Sequence, residues 1–165
     1  MPKWIVEPLA QFTGDRKSFS CGDDALDNFL HQFAGQYDKR QYGRTHIARS
    51  PDANPPVLLG YYTLANSSVT FEAVPIKTPR HPIPTLLLAR LAIDKSCRNQ
   101  RLGEYLLFDA LKRSVEISRQ SGVFAVEVDA YESARLFYEK YGFKQFLDSA
   151  NHLFLPMKEI AAMRF

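Results

Sequence analysis

Cysteine is scarce in this sequence: only Cys21 and Cys97 occur among 165 residues. They lie far apart and belong to no metal-ligand spacing, so we expect two free thiols and no metal. A disulfide, a zinc site and a cysteine nucleophile are the disfavoured alternatives. Long hydrophobic runs are also missing. Because there is no run of 18 apolar residues and no apolar signal core near the first residue, we predict no membrane span and a cytoplasmic location.

Acidic residues are sparse in two basic stretches, although the net charge of the chain is only +3. Between Lys77 and Arg101, six lysines and arginines are opposed by one acid, Asp94. The basic run that starts at Lys39 is opposed only by the adjacent Asp38. Most such runs are solvated surfaces. The second run is a candidate contact for an extended polyanion, and the first coincides with a candidate anion site.

That candidate anion site is the most informative part of the chain. Residues 86–94 read as an apolar strand, residues 95–103 as a short basic loop (the anion loop), and an amphipathic helix follows at once. The first turn of a helix presents unpaired N–H groups and the positive end of the helix dipole. Arg98, Gln100 and Arg101 stand beside those donors. The order of elements predicts a cradle for a phosphorylated ligand.

Hydrophobic periodicity predicts a single compact α/β domain over residues 1–165. Residues 21–33 are predicted to form a helix whose buried stripe consists of Leu26, Phe29, Leu30 and Phe33. Strands 86–93 and 123–129, separated by a helix at 104–120, suggest a parallel βαβ unit with its ligand at the carboxyl ends of the strands. The other predicted elements are strands at 4–9, 44–49, 57–71, 143–147 and 152–157, a short helix at 131–140 and a terminal helix.

Two separated segments resemble the GNAT N-acetyltransferases. Leu91–Asp94 followed by Arg98–Gly103 resembles the acetyl-CoA signature of that superfamily, and residues 134–143 resemble its later motif, in which a tyrosine faces the thioester. Four segments also resemble the acetyltransferase toxins of bacterial toxin–antitoxin pairs, which acetylate the amino acid on charged transfer RNA: residues 19–30, 59–64, 90–94 and 153–158. The resemblance extends over residues 19–158.

The resemblance implies a fold and a set of site residues. The fold is the GNAT fold, a mixed and mostly antiparallel sheet with a parallel βαβ acetyl-CoA site and helices on both faces. Tyr138 is implied as the general acid, and its ordinary pKa near ~10 keeps it protonated at neutral pH. The neighbouring rings at 137, 141 and 143 are predicted to pack. The implied acetyl-CoA-binding residues are Leu91, Ala92, Ile93, Arg98, Asn99, Gln100, Arg101, Leu102, Gly103, Glu104 and Phe137.

Arg101 departs from the family pattern, which has a glycine at this position of the loop. Glycine allows a close approach of the backbone to phosphate and a positive φ. Arginine can still serve if its backbone is right-handed and its guanidinium points outward, where its charge could add a phosphate contact. A requirement for positive φ would instead lower the coenzyme affinity. We expect acetyl-CoA binding to be retained.

No carboxylate stands out as a general base. Glu127 and Asp129 lie near the relevant strand end, but an acid on the polar face of a strand is usually solvated. An α-amino group titrates near ~8, and an adjacent ester lowers that further, so an aminoacyl ester needs less help than a lysine at ~10.4. Two alternatives stay open: a GNAT enzyme that acetylates a small-molecule or peptide amine, and a non-catalytic module that binds RNA or an antitoxin.

The implied partners are aminoacyl-tRNA and a small ribbon-helix-helix antitoxin, and the resemblance also implies a homodimer. Transfer RNA recognition would rest on phosphate contacts, which are independent of base sequence and sensitive to salt. The candidate RNA contacts are Lys77, Arg80, Arg90, Lys39, Arg40 and Arg44. The aromatic residues Tyr61, Tyr62 and Phe71 are predicted to pack in the sheet core rather than to line the acceptor pocket.

Overall fold

The computed structural model describes residues 3–165. This part of the chain contains seven strands and five α-helices, with short 3₁₀ turns between some of them. The strands are β1 (Ile5–Pro8), β2 (Arg44–Arg49), β3 (Leu58–Val69), β4 (Ile83–Ile93), β5 (Ala125–Asp129), β6 (Lys144–Gln145) and β7 (His152–Pro156). The helices are α1 (Asp24–Asn28), α2 (Ala34–Lys39), α3 (Leu102–Ser118), α4 (Arg135–Lys140) and α5 (Met157–Ala161).

All seven strands belong to one sheet with the order β1-β2-β3-β4-β5-β7-β6. The pairs β1–β2, β2–β3, β5–β7 and β6–β7 are antiparallel. β4 and β5 run parallel and are connected through α3, which makes them the predicted βαβ unit. The prediction of a mixed, mostly antiparallel sheet is therefore confirmed.

The chain divides into two compact units. One consists of the described residues up to Leu64 with Arg90–Ala110, and the other of Ala65–Ala89 with Leu111–Phe165. The core of the first unit includes Phe19, Phe29 and Tyr61. The core of the second includes Phe146 and Phe154. The domain organisation over residues 1–165 stays a prediction.

The helix predicted at residues 21–33 is present but interrupted. α1 begins after Asp23, whose carboxylate accepts hydrogen bonds from the backbone N–H groups of the first turn, as expected of an N-cap. Residues Phe29–Phe33 then form a π-helical turn before α2. The wider turn changes the angle between successive side chains, so a residue at its end no longer lies on the predicted stripe. Phe33 is consequently 50% exposed, and its predicted burial was wrong.

The described part of the chain, residues 3–165, contains no helix that is both long and apolar enough to cross a membrane.

Candidate active site

The carboxylate of Asp94, directly after β4, organises the start of the anion loop. One of its oxygens accepts a hydrogen bond from the backbone N–H of Ser20 at 2.9 Å. The other accepts bonds from the backbone N–H and the hydroxyl of Ser96, at 3.0 and 2.7 Å. The backbone N–H of Lys95 donates in return to the Ser20 carbonyl at 2.9 Å. The loop is therefore tied to the segment that precedes α1.

Asp94 stays ionised over the physiological pH range. Partial burial opposes its charge, but the hydrogen bonds from Ser20 and Ser96, together with the positive charge of Lys95, outweigh that cost and lower its pKa. A charged acceptor makes each of these bonds stronger than a neutral one would. In the sequence, Asp94 stands out only as the single acid between Lys77 and Arg101. The Asp-x-Ser spacing of a side-chain cap was the signal available for it.

The backbone of the anion loop is left-handed at two positions. Asn99 and Arg101 both have φ of +65°. Asparagine tolerates this conformation, whereas arginine is strained in it. The right-handed conformation considered for Arg101 is therefore wrong, and the loop keeps the backbone geometry that a glycine would adopt. The loop backbone follows a positive-φ turn, and the arginine at position 101 therefore carries the conformational strain.

Two of the three polar side chains assigned to the anion site donate hydrogen bonds to backbone carbonyls of the protein. The Arg98 guanidinium donates to the Cys21 carbonyl at 3.3 Å, and the Gln100 amide donates to the Ser96 carbonyl at 3.3 Å. Arg101 is exposed just before α3 begins at Leu102. Arg101 is thus the cation best placed to meet a phosphate, and the other two side chains shape the loop.

Only part of β4 pairs with β5. The parallel pairing joins Thr85–Leu87 to Ala125–Glu127, and β4 continues for six further residues to Ile93. Leu91, Ala92 and Ile93 are the last three residues of this stretch. They are followed by Asp94, whose N–H donates to the Leu59 carbonyl at 2.7 Å. Their backbone groups are the candidates to pair with an extended ligand.

Tyr138 lies in α4 among aromatic rings and is only 6% exposed. The rings of Phe137 and Phe143 contact it edge-on, with centroids at 5.2 and 5.4 Å. Among residues 3–165 no group hydrogen-bonds its hydroxyl. Burial raises its pKa above the ordinary value of a tyrosine, so the phenol is protonated at neutral pH. A protonated phenol with an uncommitted hydroxyl can act as an acid.

Glu127 is buried and paired rather than solvated, contrary to the expectation for an acid on this strand. It is 4% exposed. Its carboxylate accepts a hydrogen bond from the Thr85 hydroxyl and contacts the His152 ring nitrogen Nε2, both at 2.6 Å. The other His152 nitrogen lies 3.0 Å from Asp148. Glu127 is therefore committed to an internal ion pair, whereas Asp129 is exposed as expected.

The candidate RNA-binding cations differ in how freely they are presented. Lys77, Lys39 and Arg40 are exposed, and Arg80 is exposed beside the ring of Phe71. Arg90 is held, because its guanidinium lies 3.6 Å from the centroid of Phe29 and 5.7 Å from that of Tyr37. Arg44 pairs with Asp38 at 3.2 Å. The role of these six residues as RNA contacts stays a prediction.

The two cysteines are free, as the sequence predicted, with Cys97 buried and Cys21 partly exposed. Burial, followed by a hydrogen bond to Asp27, raises the pKa of the Cys21 thiol to about 11. The thiol is therefore protonated at neutral pH. Tyr61 and Tyr62 are fully buried in the core, as expected.

Comparison with known proteins gives the site a family context. A family model for the acetyltransferase (GNAT) domain matches residues 76–158, about half of the chain, including the anion loop and Tyr138. A tRNA-acetylating toxin of Mycobacterium tuberculosis is 33% identical over 153 residues, which cover 90% of this chain and 90% of the toxin.

Solved structures resemble the whole described chain. A tyrosine-to-phenylalanine mutant of KacT has a TM-score of 0.91 at 33% identity, covering 97% of this chain and 98% of KacT. AtaT complexed with acetyl-methionyl-tRNAfMet has a TM-score of 0.88 at 31% identity, covering 96% and 97%. A tyrosine-to-phenylalanine mutant of AtaT, bound to the C-terminus of the antitoxin AtaR and to acetyl-CoA, has a TM-score of 0.82 at 29% identity, covering 96% of both chains.

Proposed function

The chain belongs to the GNAT acetyltransferase family, and from that premise we propose that it transfers acetyl from acetyl-CoA to the α-amino group of an aminoacyl-tRNA. The modified tRNA could no longer enter peptide synthesis through that amine, so the protein would act as a translation-blocking toxin. The observation that carries this proposal is the similarity, over 96% of the chain, to AtaT in complex with acetyl-methionyl-tRNAfMet. The candidate site has the parts that such a transfer needs.

The anion loop is the proposed binding site for the phosphates of acetyl-CoA. The N–H groups of the first turn of α3 have no partner within the helix and carry the positive end of its dipole. Arg101 adds a charge beside them, while Asp94 and Gln100 hold the loop in shape. The proposed acetyl-CoA contacts are Leu91, Ala92, Ile93, Arg98, Asn99, Gln100, Arg101, Leu102, Gly103, Glu104 and Phe137.

Tyr138 is the proposed general acid. Acetyl-CoA supplies an activated acyl group, and its transfer to an amine releases a thiolate that must gain a proton. Tyr138 has a protonated phenol whose hydroxyl is not tied to another side chain, which suits it to that task. The similar solved structures include tyrosine-to-phenylalanine mutants of KacT and of AtaT, which supports a central role for a tyrosine.

The engagement of Glu127, the buried carboxylate of β5, agrees with an aminoacyl ester as acceptor. Glu127 is engaged by Thr85 and His152, so it does not offer a free carboxylate. The α-amino group of an aminoacyl ester has a lower pKa than a lysine, and an appreciable fraction is neutral at pH 7. The acceptor therefore needs only to be positioned, whereas a lysine would have to be deprotonated.

The proposal includes partners and surroundings. The candidate phosphate contacts are Lys77, Arg80, Arg90, Lys39, Arg40 and Arg44. AtaT was solved with the C-terminus of its antitoxin AtaR, and we infer a cognate antitoxin of the ribbon-helix-helix type for this chain. A single GNAT domain over 1–165, a homodimeric state and a cytoplasmic location complete the proposal.

A transfer assay tests the proposed function. The purified protein is incubated with acetyl-CoA carrying a radiolabelled acetyl group and with either total aminoacylated tRNA or the same tRNA after deacylation. Label should enter only the aminoacylated RNA and, after mild alkaline hydrolysis, should be recovered as N-acetyl amino acid. Parallel reactions receive polyamines or peptides in place of tRNA. Label found only in those reactions would favour an enzyme for small or peptide amines. No binding heat with acetyl-CoA would favour a non-catalytic module.

A further inference from the structure

We propose that Tyr42 is a stacking platform for an unpaired base at the 3′ end of the acceptor RNA. The inference rests on the proposed function, because it assigns a subsite to the transfer RNA that the enzyme would modify. An aminoacyl-tRNA presents its amino acid on a single-stranded 3′ end. Proteins bind such ends by combining aromatic rings, on which bases stack, with cations that meet the backbone phosphates.

Tyr42 is exposed but held in a defined position. Its side chain is among the most exposed large apolar ones, at 61%. Its backbone N–H donates to the Tyr37 carbonyl at 2.9 Å, and its ring meets the Tyr37 ring edge-on, with centroids 5.6 Å apart. The preceding residue, Gln41, turns the chain with a φ of +65°. A ring that is both fixed and open to solvent loses little entropy when a base stacks on it.

Tyr37 connects this ring to the interior. The Tyr37 ring contacts Phe29 edge-on, with centroids 5.1 Å apart, and the Arg90 guanidinium lies over both rings. Phe29 also stacks on Tyr61 in the core. The exposed tyrosine therefore ends a continuous row of aromatic contacts, which gives the platform a rigid base.

The charges around Tyr42 suit a polyanion. Tyr42 belongs to the short segment of residues 38–44, in which Lys39 and Arg40 are also exposed. The only acid of that segment, Asp38, is buried and paired with Arg44. No carboxylate of the segment is left to repel phosphates, and two cations remain to attract them. The combination of an exposed ring with flanking cations favours a nucleic acid strand over an apolar protein surface.

The register of β3 places Tyr42 at the end of the first unit that is away from the anion loop. Leu59 accepts the hydrogen bond from Asp94, whereas Leu64 pairs with Arg44, two residues after Tyr42. Five strand residues separate these points, or about 17 Å. If the nucleotide part of the coenzyme binds at the loop, the acceptor must approach from the other end of the pantetheine arm. Tyr42 lies at that end of β3.

The test measures stacking and turnover separately. An oligoribonucleotide with the sequence of a tRNA 3′ end, carrying 2-aminopurine as its terminal base, reports stacking by fluorescence quenching. Wild type and Tyr42→Phe should quench it, and Tyr42→Ala and Tyr42→Leu should not. In the transfer assay, Tyr42→Ala and Tyr42→Leu should raise the KM for aminoacyl-tRNA by about 5- to 150-fold, the range for loss of one base–aromatic stack. Both kcat at saturation and the Kd for acetyl-CoA should stay unchanged.

Controls separate the possible failures. Leu147→Ala, which truncates another exposed apolar side chain, should change neither measurement. Quenching and KM that are unchanged in Tyr42→Ala, in an enzyme that does acetylate aminoacyl-tRNA, would overturn the platform alone. A wild-type protein that acetylates no aminoacyl-tRNA would overturn the proposed function, whatever the quenching shows. Loss of antitoxin binding with intact RNA quenching would instead make this surface a protein contact and overturn the proposal.

Discussion

Around Asp94, the anion loop is held by hydrogen bonds from Ser20 and Ser96 to one carboxylate, whereas Tyr138 is held by the rings of Phe137 and Phe143. The loop needs a defined backbone path to present donors to an anion, and directional bonds provide it. Tyr138 needs a proton and a fixed ring, and apolar burial provides both. The same contrast predicts that polar substitutions affect binding at the loop and that removing a single hydroxyl affects chemistry at Tyr138.

The sharpest way to break this comparison is to remove the Tyr138 hydroxyl. Tyr138→Phe should lower kcat by about 10²-fold or more, the effect expected of a lost general acid, with the Kd for acetyl-CoA nearly unchanged because the ring remains. Steady-state kinetics and calorimetry measure the two quantities. Tyr141→Phe, one turn further along the chain, is the matched control and should keep normal turnover. Near-normal turnover in Tyr138→Phe would dismiss it as the acid.

Asp94→Asn tests the other side of the comparison. An asparagine has one acceptor oxygen and cannot serve both Ser20 and Ser96, so we expect a loss of about 1–3 kcal/mol in the free energy of unfolding and weaker acetyl-CoA binding. Urea denaturation and calorimetry measure these. Ser96→Ala, which removes only the hydroxyl bond, should have a smaller effect. Unchanged acetyl-CoA affinity in Asp94→Asn would mean that the loop keeps its shape without this carboxylate.

Arg101→Gly separates backbone strain from charge within the loop. Because φ is +65° at this position, glycine should relieve about 1–2 kcal/mol of strain. The entropy that glycine loses on folding, about 0.5–1 kcal/mol, offsets part of this gain, so the free energy of unfolding should rise by about 0.5–1 kcal/mol. It should also weaken acetyl-CoA binding at low salt, because the phosphate contact is lost. Arg101→Ala loses the same charge but keeps the strain, so it should match glycine in binding and not in stability. Equal stability of the two variants in urea would contradict the strain argument.

The smallest expected effect concerns His152, whose ring nitrogen Nε2 contacts the Glu127 carboxylate. Burial opposes its protonation, but hydrogen bonds to Glu127 and Asp148, with the charges of Asp148 and Asp129, raise its pKa above 6.5. Its stabilisation is therefore complete below the unfolded pKa and is lost as the pH rises through the folded one. The difference in urea stability between wild type and His152→Gln should shrink from pH 6 to pH 9. A constant difference would argue against a charged His152.

The order of elements and the motifs were readable from the chain because they depend on local patterns. The strand–loop–helix order that starts at residue 86, the helix beginning near residue 21 and the mixed sheet were all predicted. Phe33 was misjudged, because periodicity assumes a uniform helix and a π-helical turn changes the phase. Glu127 was misjudged as well, because its partners Thr85 and His152 lie 42 and 25 residues away in sequence.

The sequence by itself determined the family and the chemistry on offer, since both are carried by residue types at short spacings: the basic loop before a helix, and a tyrosine in a short aromatic helix. Only the tertiary structure decided how those residues are engaged. It tied Asp94 to Ser20, engaged Arg98 with the Cys21 carbonyl while leaving Arg101 exposed, and buried Glu127 beside His152. These outcomes depend on contacts between distant segments, and the free energy of such contacts is set by burial and geometry that no local pattern encodes.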